Sequence, residues 1–290
     1  MNQNIKSALA VLLTVAIGTG IAIAGSQNGA VIFGGLPLYA FAVILAFTIN
    51  WIVFIPAFIF QTEKFFDLTG SVTYTTVSVV AVLLAPVRDA RTFILMVMVI
   101  TWAVRLGSFL FKRVLKEGKD GRFDELKPNF FRFLSVWTLQ GLWVTFTMAA
   151  ALVAITTAEK MPLGIFAIVG FIVWLIGFAF EIIADSQKTK WRAKPENKGK
   201  FIDVGLWSKS RHPNYFGEIV LWLGVAIIAL PVLQGWQFVA LISPVFVTIL
   251  LTKISGVPLL EKRADEKWGG QEDYEEYKKN TPVLIPKIGK

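Results

Sequence analysis

Residues 162–184 read PLGIFAIVGFIVWLIGFAFEIIA, and Glu181 is the first charged side chain in the stretch. A helix needs about 20 consecutive apolar residues to cross the hydrocarbon core of a bilayer, and this stretch supplies them. Similar runs recur at roughly 8–24, 36–60, 73–87, 92–111, 134–156, 214–231 and 236–252. The run at 73–87, TYTTVSVVAVLLAPV, is short enough for a tilted or re-entrant segment. The last two are separated only by PVLQG and read as a helical hairpin or one broken span. The predicted fold class is therefore all-α, a polytopic membrane helix bundle of seven or eight transmembrane helices.

Composition agrees with this reading. Of 290 residues, 55% are hydrophobic and 17% charged, whereas a soluble domain carries about 25% charged residues. The net charge of +9 follows topology rather than nucleic acid. With eight crossings, one side of the membrane receives 26 of the 29 Lys and Arg residues, and the other keeps only Arg88, Arg91 and Lys160. The positive-inside rule then places both termini and the long basic loops in the cytoplasm. Residues 1–25 share features with a secretory signal, with Lys6, an apolar stretch and AIAG, but the spans that follow make a retained anchor the expectation. The chain has no cysteine and one histidine, which excludes disulfides, thiolate chemistry and Cys/His metal sites. No Gly-x-Ser-x-Gly elbow, P-loop or dinucleotide fingerprint occurs.

Two polar regions are too rich for plain loops. The first is QTEKFFDLTGSVTY at 61–74, and the second runs from 180 to 218 and ends in GLWSKSRHPNYFGE. A C-terminal tail from Leu259 onward is a third. Glu181 and Asp185 are four apart and share a helix face, at a depth where a carboxylate costs a few kcal/mol unless paired or wetted. They either balance Lys188 and Lys190 or line a polar cavity. Arg211, Asn214 and Glu218 fall on one face as the next helix begins, with Pro213 in its first turn. Free N–H groups there, with Lys209 and Arg211, suit a phosphate. The competing reading is a helix capped by Ser210 whose basic flank anchors to anionic lipid, but it leaves Asn214, Tyr215 and Glu218 unexplained.

GLWSKSRHPNYFGE resembles the C-terminal signature of the steroid 5-alpha-reductase family, close to its bacterial branch of reductase-like membrane proteins. The sterol C14 and delta-7 reductases share an Arg-His-x-Asn-Tyr-x-Gly-Asp/Glu form. The resemblance is specific from about Glu181 to Pro286 and weaker before residue 100. It implies an N-terminal lipid-substrate half (1–133), a C-terminal half that binds NADPH (134–290), and reduction of a carbon–carbon double bond in a lipid or steroid-like enone. It also implies an integral protein of a bacterial inner membrane, with membrane lipids and a small lipid as partners.

The family's cofactor contacts fall here on Asp185, Arg192, Asn214, Gly217 and Glu218, with Tyr215, Arg211 and His212 in the same element. Glu181 stands where the steroid enzymes carry Asn. Lys262 and Arg263 match a C-terminal cofactor-touching element. For the family's Gln-Glu pair this chain has Gln61 and Glu63 separated by Thr62, and Trp102 stands where a later Tyr is found. Glu63 or Tyr74 is then the expected proton donor. The same Arg-His-Pro-x-Tyr-x-Gly element also resembles isoprenylcysteine and phospholipid methyltransferases, which bind S-adenosylmethionine. Those chains are shorter with fewer spans, which favours the reductase. A transporter or scaffold is disfavoured because the polar residues gather at one end of the spans rather than at the midplane.

Overall fold

The computed structural model describes residues 2–287. The chain forms two compact units: one comprises residues up to 166 with 228–243, the other 167–227 with 244 onward. Among the described residues, seven helices are long and apolar enough to cross a membrane, and a bent pair brings the number to eight. Among the described residues the bundle is all-α apart from a hairpin of two two-residue strands, and the chain is an integral membrane protein.

The first unit contains α1 (Gln3–Gly25), the hairpin β1 (Val31–Ile32) and β2 (Leu36–Pro37), then α2 (Leu38–Ile59), α3 (Phe66–Leu84) and α4 (Ala90–Glu117). α5 (Phe130–Thr147) and α6 (Ala149–Thr156) follow. α3 begins seven residues before the expected start at 73, so residues 66–74 are helix rather than loop. Hydroxyls account for the difference. Thr69, Thr73, Thr75 and Ser78 each donate to the carbonyl four residues back, at 2.7–3.0 Å. Each satisfies its own polarity inside the helix, so a segment that reads as polar is compatible with an apolar surrounding. Gly107 lets α4 lie against α3, because a side chain there would collide with Ser71. Ser71 Oγ donates to the Ala103 carbonyl at 2.7 Å across that contact.

The expected single span at 134–156 is two helices bent by 61°. The Ser243 hydroxyl donates to the Thr147 carbonyl at the bend, and a side chain entering the hydrogen-bond ladder is a recognised cause of a kink. Every residue of α6 is buried, as expected of a helix that is apolar all round. Its four alanines let neighbouring segments close over it.

The second unit contains most of α7 (Ile165–Arg192), α8 (Pro213–Ala229) and α9 (Ile242–Ile249), then α10 (Val257–Trp268) and α11 (Glu272–Asn280). The expected last span at 236–252 is a 3-10 turn at Gly235–Leu241, α9, and a π turn at Leu250–Ile254. α7 and α8 meet backbone to backbone through two glycines on each. A Cβ on Gly177 would lie 2.6 Å from the Gly217 carbonyl. One on Gly224 would lie 2.6 Å from both the Gly170 carbonyl and the Trp174 nitrogen. Small residues allow this approach, which drives helix association where no water is expelled. The crossing sets the end of α7 against the start of α8.

Candidate functional site

The second unit brings together most of the polar residues singled out above. α7 continues eight residues beyond the expected end of its span, so Asp185, Lys188 and Arg192 are helical. Glu181 is 2% exposed and Asp185 7%, whereas Arg192 at the helix terminus is exposed. Gly217 seats α8 on this stretch, since a Cβ there would fall 2.6 Å from the Glu181 nitrogen. Asn214, Tyr215 and Glu218 are half-buried on the first turns of α8. The Asn214 side chain has no hydrogen-bond partner among the described residues.

The loop between α7 and α8 is folded back rather than free. Gly205 adopts φ +63°, in the left-handed region that glycine tolerates, and there the Leu206 N–H reaches Gln187 Oε1 at 2.9 Å. Trp207 Nε1 donates to the Ala184 carbonyl at 3.0 Å, and Lys188 Nζ lies 4.3 Å from the centre of that indole. Lys188 is thereby placed on an aromatic face.

The C-terminal tail straps this loop. The Arg211 N–H donates to the Pro282 carbonyl and the Lys287 N–H to the Lys209 carbonyl, both at 2.9 Å. Ser210 Oγ donates to the Leu284 carbonyl at 2.7 Å, and the Tyr277 hydroxyl to the Trp207 carbonyl at 2.7 Å. Phe201 stacks on Tyr277 with ring centres 5.2 Å apart and meets Tyr274 edge-on at 5.3 Å.

At the centre of the strapped loop, the two oxygens of Glu261 on α10 divide between neighbours. Oε1 lies 2.8 Å from His212 Nε2 and Oε2 lies 2.9 Å from Arg211 Nη2. Arg211 Nη1 also donates to the Lys278 carbonyl at 3.3 Å. The imidazole is nearly parallel to the Tyr215 ring, with centres 5.6 Å apart. Burial pushes the His212 pKa below its ordinary value, against the opposing pull of Glu261. Sequence reasoning singled out the next two residues instead. Lys262 is exposed and pairs loosely with Glu266 at 3.9 Å, and Arg263 is exposed. The residue of this segment that reaches the Arg-His element is Glu261, and its position one helical step before Lys262 was the available signal.

In the first unit, Glu63 and Tyr74 occupy different environments. Glu63 follows α2 and is 4% exposed. Its Oε1 accepts from the Asp120 N–H at 2.8 Å and its Oε2 from Lys127 Nζ at 2.5 Å. Burial alone would raise this carboxyl, but the bonds from Lys127 and Asp120 outweigh it and hold it below the usual range. Gln61, with φ +50°, is exposed and donates to the Phe58 carbonyl. Tyr74 is half-buried on α3 and meets Trp102 of α4 edge-on, with centres 5.1 Å apart. Asn50 of α2 donates to Thr73 Oγ1 at 3.4 Å one residue away. No group of three or more His, Asp or Glu placed to hold a metal ion occurs among the described residues.

A protein family described as being of unknown function, DUF1295, matches residues 53–281. The 3-oxo-5-alpha-steroid 4-dehydrogenase 1 of Rattus norvegicus is 30% identical over 118 residues, 40% of each chain. Steroid 5-alpha-reductase DET2 of Arabidopsis thaliana is 31% identical over 121 residues, 41% of this chain and 40% of that one. A probable O-methyltransferase, ustE, of Ustilaginoidea virens is 34% identical over 58 residues, 20% of each chain. The chain spans about two fifths of the length of the steroid enzymes it matches. No solved structure matches it. This chain belongs to the DUF1295 family of steroid 5-alpha-reductase-like integral membrane proteins.

Proposed function

We infer that this protein is an NADPH-dependent membrane reductase that saturates a carbon–carbon double bond of a lipid or steroid-like enone. The observation that carries the reading is the junction of α7 and α8, where Glu181 and Asp185 are buried against a turn bearing Asn214, Tyr215 and Glu218. Carboxylates and a carboxamide gathered at one helix junction offer hydrogen-bond acceptors, for which ribose hydroxyls and an adenine amino group are matching donors.

The residues fit a polyanionic dinucleotide. Glu181, Asp185 and Glu218 accept hydrogen bonds from its hydroxyls, and Asn214 takes either role. Arg192, Lys209, Lys262 and Arg263 supply cations for phosphate, which favours charge-assisted contacts. When bound, NADPH supplies the hydride. On the substrate side, Tyr74 is the better of the two candidate acids. Glu63 is ionised and held by Lys127 and Asp120, so it has no proton to give and instead orders the 118–129 loop. Tyr74 carries a hydroxyl that stabilises developing enolate charge by hydrogen bonding and delivers the proton. Both termini and the basic loops lie on the cytoplasmic side of a bacterial inner membrane.

Thermal-shift titration in detergent tests the cofactor. NADPH at about 100 times its dissociation constant stabilises the fold by about 2.7 kcal/mol, and added salt weakens the effect. A second reading, methyl transfer from S-adenosylmethionine, is supported by the similarity to the probable O-methyltransferase. Stabilisation by S-adenosylmethionine with none from NADPH would install it.

A further inference from the structure

Glu261 is shared between two adjacent residues, and the sharing leaves one orphaned atom on each. Arginine is charged at any physiological pH, so the carboxylate it grips is an acceptor at both oxygens. The contact with His212 at 2.8 Å therefore requires a proton on Nε2. In the neutral ring Nδ1 is then a bare lone pair, and it is buried without a partner. Arg211 donates through Nη2 to Glu261 and through Nη1 to Lys278, while its Nε–H is likewise buried without a partner. The side chains of Arg211 and His212 are 12% and 6% exposed. An orphaned buried polar atom costs free energy unless a ligand or water satisfies it, and here one acceptor and one donor sit on consecutive residues.

We propose that Glu261 is a positioning residue that fixes His212 as the Nε2–H tautomer, leaving His212 Nδ1 as an acceptor and Arg211 Nε as a donor for uncharged hydroxyl or carboxamide groups. The bare Nδ1 is mismatched to a phosphate dianion, which offers only acceptors. On the NADPH reading, on which the identity of the ligand rests, the partner is a ribose hydroxyl or the nicotinamide carboxamide. The charged groups facing the imidazole are Glu261 from α10, Arg211 from its own loop and Lys188 from α7; Tyr215 of α8 stacks on it. Burial and both cations favour the neutral ring. Acidification protonates Nδ1, removes the lone pair and weakens binding, whereas a histidine serving phosphate would bind more tightly as it became charged.

The single histidine of the chain makes the test direct. Full-length protein with nitrogen-15-labelled histidine gives one imidazole by NMR. The expected spectrum at neutral pH has a protonated Nε2 and a bare Nδ1, and Glu261→Gln shifts the ring toward the other tautomer. NADPH affinity is then measured across the His212 titration in wild type and in His212→Asn, whose amide oxygen stands near the place of Nδ1 but does not titrate. Wild type should lose about tenfold on acidification relative to the variant, with the ligand's own titration cancelling. A protonated Nδ1 in wild type, a tautomer unmoved by Glu261→Gln, or tighter binding in acid than the variant shows would overturn the proposal. If NADPH binds at no pH, the cofactor reading fails, and the tautomer alone decides the role of Glu261.

Discussion

Replacing Gly217 by alanine adds one methyl group at the α7–α8 crossing. The new carbon would lie 2.5 Å from the Gly177 carbonyl, 2.6 Å from the Glu181 nitrogen and 3.0 Å from Phe180 Cβ. Ordinary contact begins at 3.4 Å, so the helices must part by up to about 0.9 Å. Two of the three atoms are backbone, and no rotamer change relieves them. Overpacking a close-packed contact costs about 1–3 kcal/mol, and a backbone obstruction places this case in the upper part of that range. The same displacement moves Glu181 and Asp185 away from Asn214 and Glu218, so NADPH affinity falls together with stability. Thermal unfolding in detergent reads the first effect and nucleotide titration the second. Gly20→Ala on α1 is the control: nothing lies within 4 Å of its added carbon, and alanine is the better helix former. A Gly217→Ala protein as stable as the Gly20→Ala protein would refute the close crossing.

Other outcomes follow from particular contacts. Lys127→Met leaves the buried Glu63 carboxylate without its counter-ion and should destabilise the first unit by roughly 3–5 kcal/mol; adding Glu63→Gln should recover part of the loss in chemical denaturation. Because the folded Glu63 carboxyl lies below its ordinary value, its stabilisation is present above about pH 4–5 and lost as pH falls through the folded value. An acid titration of wild type against Glu63→Gln resolves that contribution, and identical curves would contradict it. Asn214→Ala and Glu218→Ala should each weaken NADPH binding by roughly 1–3 kcal/mol per lost hydrogen bond without unfolding the protein. Tyr74→Phe should abolish reduction with cofactor affinity unchanged; full turnover in that variant would remove Tyr74 from the chemistry.

The apolar spans were legible because length and hydropathy carry them. The start of α3 was not, because Thr69 and Thr73 read as polar residues while their hydroxyls bond to their own helix. The break between α5 and α6 was equally hidden. It involves Ser243, 96 residues from the carbonyl it binds, and no local signal marks Met148. Within the candidate site, the Asn-Tyr-x-Gly-Glu turn and the Glu181–Asp185 pair stood out as polar groups abutting apolar runs. Glu261 did not, because its segment reads as an ordinary charged helix and its partners lie 49 and 50 positions away. The four glycines of the α7–α8 crossing had no visible meaning until the helices were placed side by side.

Hydride transfer is the central claim, and isotopic labelling tests it most directly. Membranes containing the protein are supplied with NADPH carrying deuterium at the transferable position, together with a 4-en-3-one steroid and a linear lipid enone as probes. Mass spectrometry of the extracted lipids should show a product heavier by two hydrogens, one of them deuterium, that is absent with Tyr74→Phe. Lipids left unsaturated, with a methyl group from S-adenosylmethionine appearing in an extracted product instead, would contradict the account.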